Sequence, residues 1–365
     1  MKLLILRNAG RIFYLFIISL STCLAQKSKT DTTRTLDPSA DLYKASMKLI
    51  DSLKYKDAIK LLDKAVKIKK DYSEAYNKIA FCNMQLNDFA SAQKNLEFSL
   101  KYDPDNFNCI KYLGRACYLN KKYDQAKKYY DSADSLVPHD VELMCFIAEL
   151  RVFGQDLKGA LEMYNNIIFE RDNFAAAYIG RGMLKFKQKE YPYAIKDIEQ
   201  GLVLSKYQKV DNDIYLGLAQ SKFEAGDYKG AVKVFDTLVK RNPKNEYALT
   251  YRGASKIYTN DFSGAVKDLD EAIKLNPKSY VAYNFRGTAK GGLKQNVEAI
   301  KDFDFCIKLK IDYASVYVNR AAIRMASKDR KGACEDLNKA DQLGSDIAIQ
   351  YIQQFCGGDR VGMDR

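Results

Sequence analysis

Four arginines and four aspartates lie at matched places along the chain, where they could form ion pairs or bind an anionic ligand. Each arginine is followed sixteen residues later by an aspartate. An arginine that bound a ligand would not need its own carboxylate in every copy, so we interpret the pairs as structural ion pairs between helices. A ligand clamp is the alternative. The pairs are Arg181 with Asp197, Arg252 with Asp268, Arg286 with Asp302, and Arg320 with Asp336.

The eight cysteines could form disulfides, bind a metal or act as nucleophiles. Cys334 begins one predicted helix and Cys356 ends the next, so an antiparallel fold of these helices brings the two thiols close together. A disulfide there would staple the end of the fold in an oxidising compartment. Two buried thiols are the alternative. Cys306 occupies a place that alanine takes in other copies of the pattern described below, which indicates packing.

No arrangement of residues in the sequence indicates catalysis. The single histidine, His139, follows Pro138 in a predicted turn, so Cys117 and Cys145 have no credible base. The sequence contains no glycine-rich phosphate loop, nucleophile elbow or cluster of metal ligands. We therefore expect a protein that is not an enzyme and has no metal or cofactor.

These residues are positioned by a unit that recurs nine times. An alanine returns every 34 residues, except for a spacing of 37 between Ala194 and Ala231. A large apolar residue follows this repeat alanine by four residues, and a second small residue usually precedes it by twelve. Such spacing places the residues of a unit on single faces of α-helices. The repeat alanines are Ala58, Ala92, Ala126, Ala160, Ala194, Ala231, Ala265, Ala299 and Ala333.

Small residues at two fixed places in each unit favour a closely packed pair of helices. Larger side chains at such a crossing would overpack the contact. Pro104, Pro138, Pro243 and Pro277 all lie twelve residues after a repeat alanine, where the second helix must end. The pattern therefore predicts an all-α fold of helical hairpins.

The stretches Tyr178-x-x-Arg181-Gly182 and Gly226-Asp227-Tyr228-x-x-Ala231 resemble the tetratricopeptide repeat family, and the resemblance covers residues 39–347. It implies a right-handed superhelical solenoid of about nine hairpins, a capping helix over residues 346–356 and a tail over 357–365. The units are expected to start near residues 39, 73, 107, 141, 175, 212, 246, 280 and 314.

The resemblance also implies that the first helices line a concave groove that holds a peptide or partner protein. Ordinary packing between repeats is the alternative for its apolar residues. Lys111 and Arg115 match the family's carboxylate clamp only in part, which argues against recognition of a chaperone C-terminus. The expected groove residues are Tyr118, Phe153, Met183, Phe186, Phe223, Ile257 and Tyr258.

The first 25 residues have the layout of a secretory signal peptide. Lys2, Arg7 and Arg11 precede an apolar run over residues 12–20 that is too short to cross a bilayer. Cleavage after Ala25 is the expected processing, with lipidation of Cys23 or a retained anchor as alternatives. Residues 26–38 are expected to form a polar linker.

The formal net charge of +13 is spread along the chain, because lysine alternates with acidic residues. We therefore expect no nucleic acid partner, and membrane contact only through a lipid on Cys23. The sequence predicts a protein-binding scaffold exported to the periplasm or outer membrane of a Gram-negative bacterium. The alternative is an envelope carrier that binds a glycan or another non-protein ligand in the groove.

Overall fold

The computed structural model describes residues 37–205 and 210–357. These residues hold nineteen α-helices and no strand, which confirms the all-α class. The expected signal peptide, the lipidation site Cys23 and residues 26–36 of the linker lie outside the described residues. The expected tail lies outside them as well, apart from Gly357.

Eighteen of the helices form nine consecutive hairpins, and α19 (Asp346–Phe355) follows the last one. The first helices are α1 (Pro38–Asp51), α3 (Ser73–Gln85), α5 (Phe107–Leu119), α7 (Val141–Phe153), α9 (Ala175–Lys187), α11 (Asn212–Glu224), α13 (Glu246–Tyr258), α15 (Tyr280–Gly292) and α17 (Ala314–Ala326). The second helices are α2 (Tyr55–Ile68), α4 (Phe89–Tyr102), α6 (Tyr123–Leu136), α8 (Leu157–Glu170), α10 (Tyr191–Leu204), α12 (Tyr228–Arg241), α14 (Phe262–Leu275), α16 (Asn296–Leu309) and α18 (Arg330–Gln342).

The described residues divide into two compact units. Unit 1 holds residues 37–188, 196–205 and 210–211, and unit 2 holds residues 189–195 and 212–357. Within each unit the two helices of a hairpin pack against each other. The second helix of a hairpin also packs against the first helix of the next one, so successive hairpins stack.

Each hairpin turns at a residue with left-handed backbone, five residues before the repeat alanine. This residue is Gly226 in the sixth hairpin (φ +81°), whereas the others carry side chains, as at Asn87 (φ +62°). In the second hairpin the next amide, of Asp88, donates to the carbonyl of Asn83 at 2.9 Å and ends the first helix. The Asp88 carboxylate then accepts from the amide of Ser91 at 3.0 Å and caps the second helix.

The two helices of a hairpin approach so closely that some positions admit no side chain. A Cβ added to Gly182 would lie 2.7 Å from Cγ1 of Ile198 and 3.0 Å from its backbone nitrogen. The repeat alanines are completely buried in all nine hairpins. Small residues are therefore required by close packing of the backbones, as the pattern predicts.

The last hairpin in unit 2 is covered by α19. Ala348 and Ile352 of this helix are buried in the same apolar cluster as Val316 and Leu337. The disulfide between Cys334 and Cys356 ties α19 to α18, with the two Cα atoms 5.9 Å apart.

Candidate functional site

Arg252 is the centre of an ion-pair cluster that joins two hairpins of unit 2. Its Nε and Nη2 donate to the two carboxylate oxygens of Asp268 at 2.9 and 2.6 Å, within the same hairpin. Its Nη1 donates to Asp236 of the preceding hairpin at 2.9 Å. All three guanidinium nitrogens therefore have protein acceptors, and the arginine is held in one orientation.

The same cluster recurs in the next two hairpins of unit 2. Arg286 binds Asp302 through two hydrogen bonds and Asp270 through a third, at 2.6–2.9 Å. Arg320 binds Asp336 and Asp304 in the same way.

Unit 1 contains a related pair with one difference. Arg181 donates to Asp197 twice, both times at 2.7 Å, while its third partner is the neutral side chain of Asn165 at 2.8 Å. The hydrogen bonds to Asp197 raise the pKa of Arg181 above its ordinary value. The structure thus brings all four expected pairs together.

A second cation contacts each buried aspartate of unit 2, one helical turn after the arginine. Lys256 lies 2.8 Å from Asp268, Lys290 lies 2.7 Å from Asp302, and Arg324 lies 2.9 Å from Asp336. The clusters of Arg252 and Arg286 therefore contain two cations and two carboxylates each and carry no net charge, and the cluster of Arg320 has a third carboxylate, Asp329, 3.7 Å from Arg324. This composition supports a structural role, because no cation is left in the cluster to neutralise a ligand.

Lys111 of unit 1 belongs to a buried polar network between α5 and α7. Its side chain is almost completely buried, and its ammonium lies 2.8 Å from Glu142 and 3.1 Å from Asp140. The hydroxyl of Tyr112 donates to Glu142 at 2.7 Å.

Arg115 and Glu149 form a second buried ion pair between α5 and α7. Burial raises the pKa of Glu149, and the charge of Arg115 opposes that rise. Lys111 and Arg115 are thus neutralised by carboxylates of the next hairpin. The sequence interpretation missed Glu142 and Glu149, although Glu149 stands 34 residues after Arg115, at the same place in the next repeat.

Three aromatic rings meet in unit 1 where the first helices end. Phe153, the last residue of α7, stacks on Tyr123, the first residue of α6, with ring centroids 3.6 Å apart. Tyr118 meets Tyr123 edge to face at 5.6 Å. The ring of Phe153 is thus supported from within the protein, although 47% of the residue is exposed.

Unit 2 repeats this arrangement with different residues. Tyr258, the last residue of α13, stacks on Tyr228, the first residue of α12, at 4.2 Å with an interplanar angle of 10°. Phe223 contacts both rings edge to face, at 5.5 and 5.9 Å. Tyr258 is 55% exposed, so it presents a supported aromatic ring to solvent.

Two of the expected groove residues do not line an open surface. Tyr118 is only 5% exposed and Ile257 only 9%, and both belong to apolar clusters between hairpins. Their place in the repeat faces the neighbouring hairpin, so here the packing alternative describes the structure better. Met183 and Phe186 lie half-buried on α9, and Phe223 is half-buried on α11.

Other chemistry has little support in the described part of the chain. Residues 37–205 and 210–357 contain no group of three or more His, Cys, Asp or Glu side chains arranged to hold a metal ion. Burial raises the pKa of Cys117 to about 11 and raises the pKa of Cys145 well above its ordinary value. Both thiols are therefore protonated at neutral pH and poor nucleophiles. None of the helices in these ranges is both long and apolar enough to span a membrane.

Residues 83–141 and 213–245 match sequence models of the tetratricopeptide repeat. The first match runs from the end of α3 through α4, α5 and α6 to the start of α7, and the second covers the sixth hairpin. The chain contains tetratricopeptide repeats in these two segments.

The sequence identity between this chain and individual curated proteins is low. Human N-alpha-acetyltransferase 16, the NatA auxiliary subunit, is 24% identical over 164 residues, which cover 44% of this chain and 19% of that protein. Mitochondrial import receptor subunit TOM70 of Saccharomyces cerevisiae is 25% identical over 204 residues, with 53% and 33% covered. The chain thus spans a third or less of these curated relatives.

A solved tetratricopeptide repeat protein from Parabacteroides merdae has a TM-score of 0.34 and 19% identity to this chain. The comparison covers 78% of this chain and 98% of that one.

Proposed function

We propose that the chain is a non-enzymatic scaffold that binds a peptide or partner protein through the first helices of its hairpins. The observation that carries this proposal is the pair of supported, exposed rings at Phe153 and Tyr258. Aromatic side chains held by neighbours lose little conformational entropy on binding, which makes them effective anchors for a partner's apolar side chains. The names of the relatives agree with a binding role, since one is an import receptor subunit and another an auxiliary subunit.

The buried charges of unit 1 restrict the class of partner. Because Lys111 and Arg115 already contact Glu142, Asp140 and Glu149, a peptide carboxylate would have to displace a buried internal partner. The proposed ligand is therefore an internal or apolar segment of a protein rather than a free C-terminus.

Export to a bacterial envelope is part of the same proposal. The charged, then apolar, then small residues over positions 1–25 support it, and so does the Cys334–Cys356 disulfide, since such bonds persist in oxidising compartments. The mass of the N-terminal peptide of the chain isolated from the envelope tests it. A chain that begins at Gln26, or at an acylated Cys23, would agree with export. A chain that keeps residues 1–25 and is found in the cytoplasm would contradict it.

Site-specific photo-cross-linking tests the binding surface. A photoreactive phenylalanine analogue replaces Phe153 or Tyr258 in the native host, and Phe169, which is 91% exposed on a second helix, serves as the control position. We expect the same protein adduct at positions 153 and 258 and none at 169. Equal adducts at all three positions, or none, would contradict the scaffold proposal.

The same experiment separates the alternative, a glycan carrier. Flat exposed rings such as Tyr258 also stack on sugars, so the geometry alone permits that ligand. If the adduct resists protease and is shortened by periodate, the bound ligand is a glycan and not a protein.

A further inference from the structure

Six lysines form two rows on the second helices of unit 2. In α12, α14 and α16 one lysine follows the repeat alanine by two residues and another by nine, so the two stand about 10 Å apart along the helix. All six are exposed. We call this surface the lysine face, and its members are Lys233, Lys240, Lys267, Lys274, Lys301 and Lys308.

The lysine face keeps its charge because the aspartates between the lysines are already neutralised. Asp236, Asp270 and Asp304 lie in the intervening turns, and each accepts from an arginine of the next hairpin. Those arginines belong to clusters in which the cations do not outnumber the carboxylates. Among residues 37–205 and 210–357, Glu271 is the one acid in ion-pair contact with a member of the face, at 3.5 Å from Lys274.

Unit 1 has no equivalent surface in its described residues. The helices α2 and α4 carry lysine at both places, but Asp63 and Glu97 in the intervening turns have no arginine partner and so offset the lysines. In α6, α8 and α10 the second lysine of the pair is replaced by Ser135, Phe169 and Val203. The positive charge of unit 2 therefore follows from its ion-pair clusters together with its lysines.

We propose that the lysine face of unit 2 docks on a bilayer that contains anionic phospholipid. The lysines recur at the same two places on the second helices of three consecutive hairpins, so their charge is spread over a broad surface, which suits a plane of phosphate headgroups. Phe305 is exposed between Lys301 and Lys308, and its ring lies tilted against Tyr283 with centroids 4.6 Å apart, so an apolar ring projects where the headgroup layer would be. A single nucleic acid strand would favour a charged groove with several stacking rings, which this face lacks. The proposal is independent of the partner site on the first helices.

Vesicle co-sedimentation tests the proposal. The purified chain carries Cys23→Ser, so that no acyl group contributes, and is mixed with phosphatidylcholine vesicles with or without about 30 mol % phosphatidylglycerol. We expect binding to the anionic vesicles only, and a loss of that binding as salt rises from about 0.05 to 0.5 M. Lys233→Glu, Lys267→Glu and Lys301→Glu together should weaken binding at least about tenfold.

The matched control reverses three lysines at the same place in hairpins of unit 1, namely Lys94→Glu, Lys128→Glu and Lys196→Glu. It changes the net charge equally and should keep binding within about twofold of the parent. If charge reversal unfolds unit 2, Lys→Gln changes at the same three positions carry the test. Binding that is lost equally in both triple variants, or binding to a DNA duplex without binding to anionic vesicles, would overturn the proposal.

Discussion

The guanidinium of Arg252 makes two hydrogen bonds to the carboxylate of Asp268, sixteen residues further along the chain. This pair locks the two helices of one hairpin, and the third bond, to Asp236, locks that hairpin to its predecessor. One side chain thus fixes two interfaces. This explains why each of the four arginines is followed sixteen residues later by an aspartate in the sequence.

Arg252→Ala should lower the free energy of unfolding by about 2–4 kcal/mol, because it leaves the buried Asp268 with Lys256 alone. Urea unfolding followed by circular dichroism measures the change. Lys127→Ala breaks an exposed pair with Asp131 and should cost less than about 0.5 kcal/mol. Equal effects of the two substitutions would show that the arginine cluster contributes no more than a surface pair.

Reduction of the Cys334–Cys356 disulfide should destabilise the end of unit 2. The bond closes a loop with a sequence separation of 22, so its loss should cost about 3 kcal/mol through the entropy of the unfolded chain. Thermal melts with and without reductant measure this in the parent and in Cys334→Ser. The parent should melt lower in reductant and the variant should not respond. A parent that is insensitive to reductant would contradict a stabilising role for the disulfide.

Cys306 should make the protein less stable in alkali. Burial raises the pKa of its thiol to about 12, whereas the unfolded thiol titrates near about 8.5. The folded state therefore holds its proton more tightly, and stability is lost as pH rises above the unfolded value. Alanine fits this place, as it does in the other hairpins at Ala65, Ala133, Ala272 and Ala340. The free energy of unfolding of Cys306→Ala should fall less than that of the parent between about pH 8 and 11. Parallel plots of unfolding free energy against pH for the two proteins would contradict this.

Gly182→Ala should cost about 1–3 kcal/mol, because the added methyl meets the backbone and side chain of Ile198 at 3.0 and 2.7 Å. Gly154→Ala is the control, since the nearest atoms to its added methyl are carbonyl oxygens 3.6 Å away. Chemical unfolding of the two variants should therefore separate them. A neutral Gly182→Ala would mean that the hairpin spreads at little cost.

The hairpins and the arginine–aspartate pairs could be predicted because both repeat with the period of the chain. Ala231 and Arg252 each have counterparts in other copies of the repeat. A feature that recurs at the same place in several copies is distinguished from one that occurs once by chance. The third partner of each cluster was missed because it belongs to the previous hairpin. Its signal was present, since Asp236, Asp270 and Asp304 all follow a repeat alanine by five residues.

The aromatic surface could be predicted only in part. The residue types identified Phe153 and Tyr258, but the rings that support them, Tyr123 and Tyr228, begin second helices and were not connected to a groove. Burial of Tyr118 depends on the angle between neighbouring hairpins, and this angle cannot be inferred from one position of the repeat. The sequence predicts a positive charge that is spread along the chain, and the lysine face appears only after the partners of its aspartates are known.

Each arginine cluster in unit 2 borrows its outer carboxylate from the hairpin before it, and that carboxylate is always an aspartate at the same place. The ion-pair contact between hairpins is therefore the same at each of these joints. Excision of residues 280–313 would bring Arg320 opposite Asp270 in place of Asp304, so that contact would be kept. Gene duplication or deletion could thus change the length of this segment by whole hairpins while the arginine cluster at the joint is preserved.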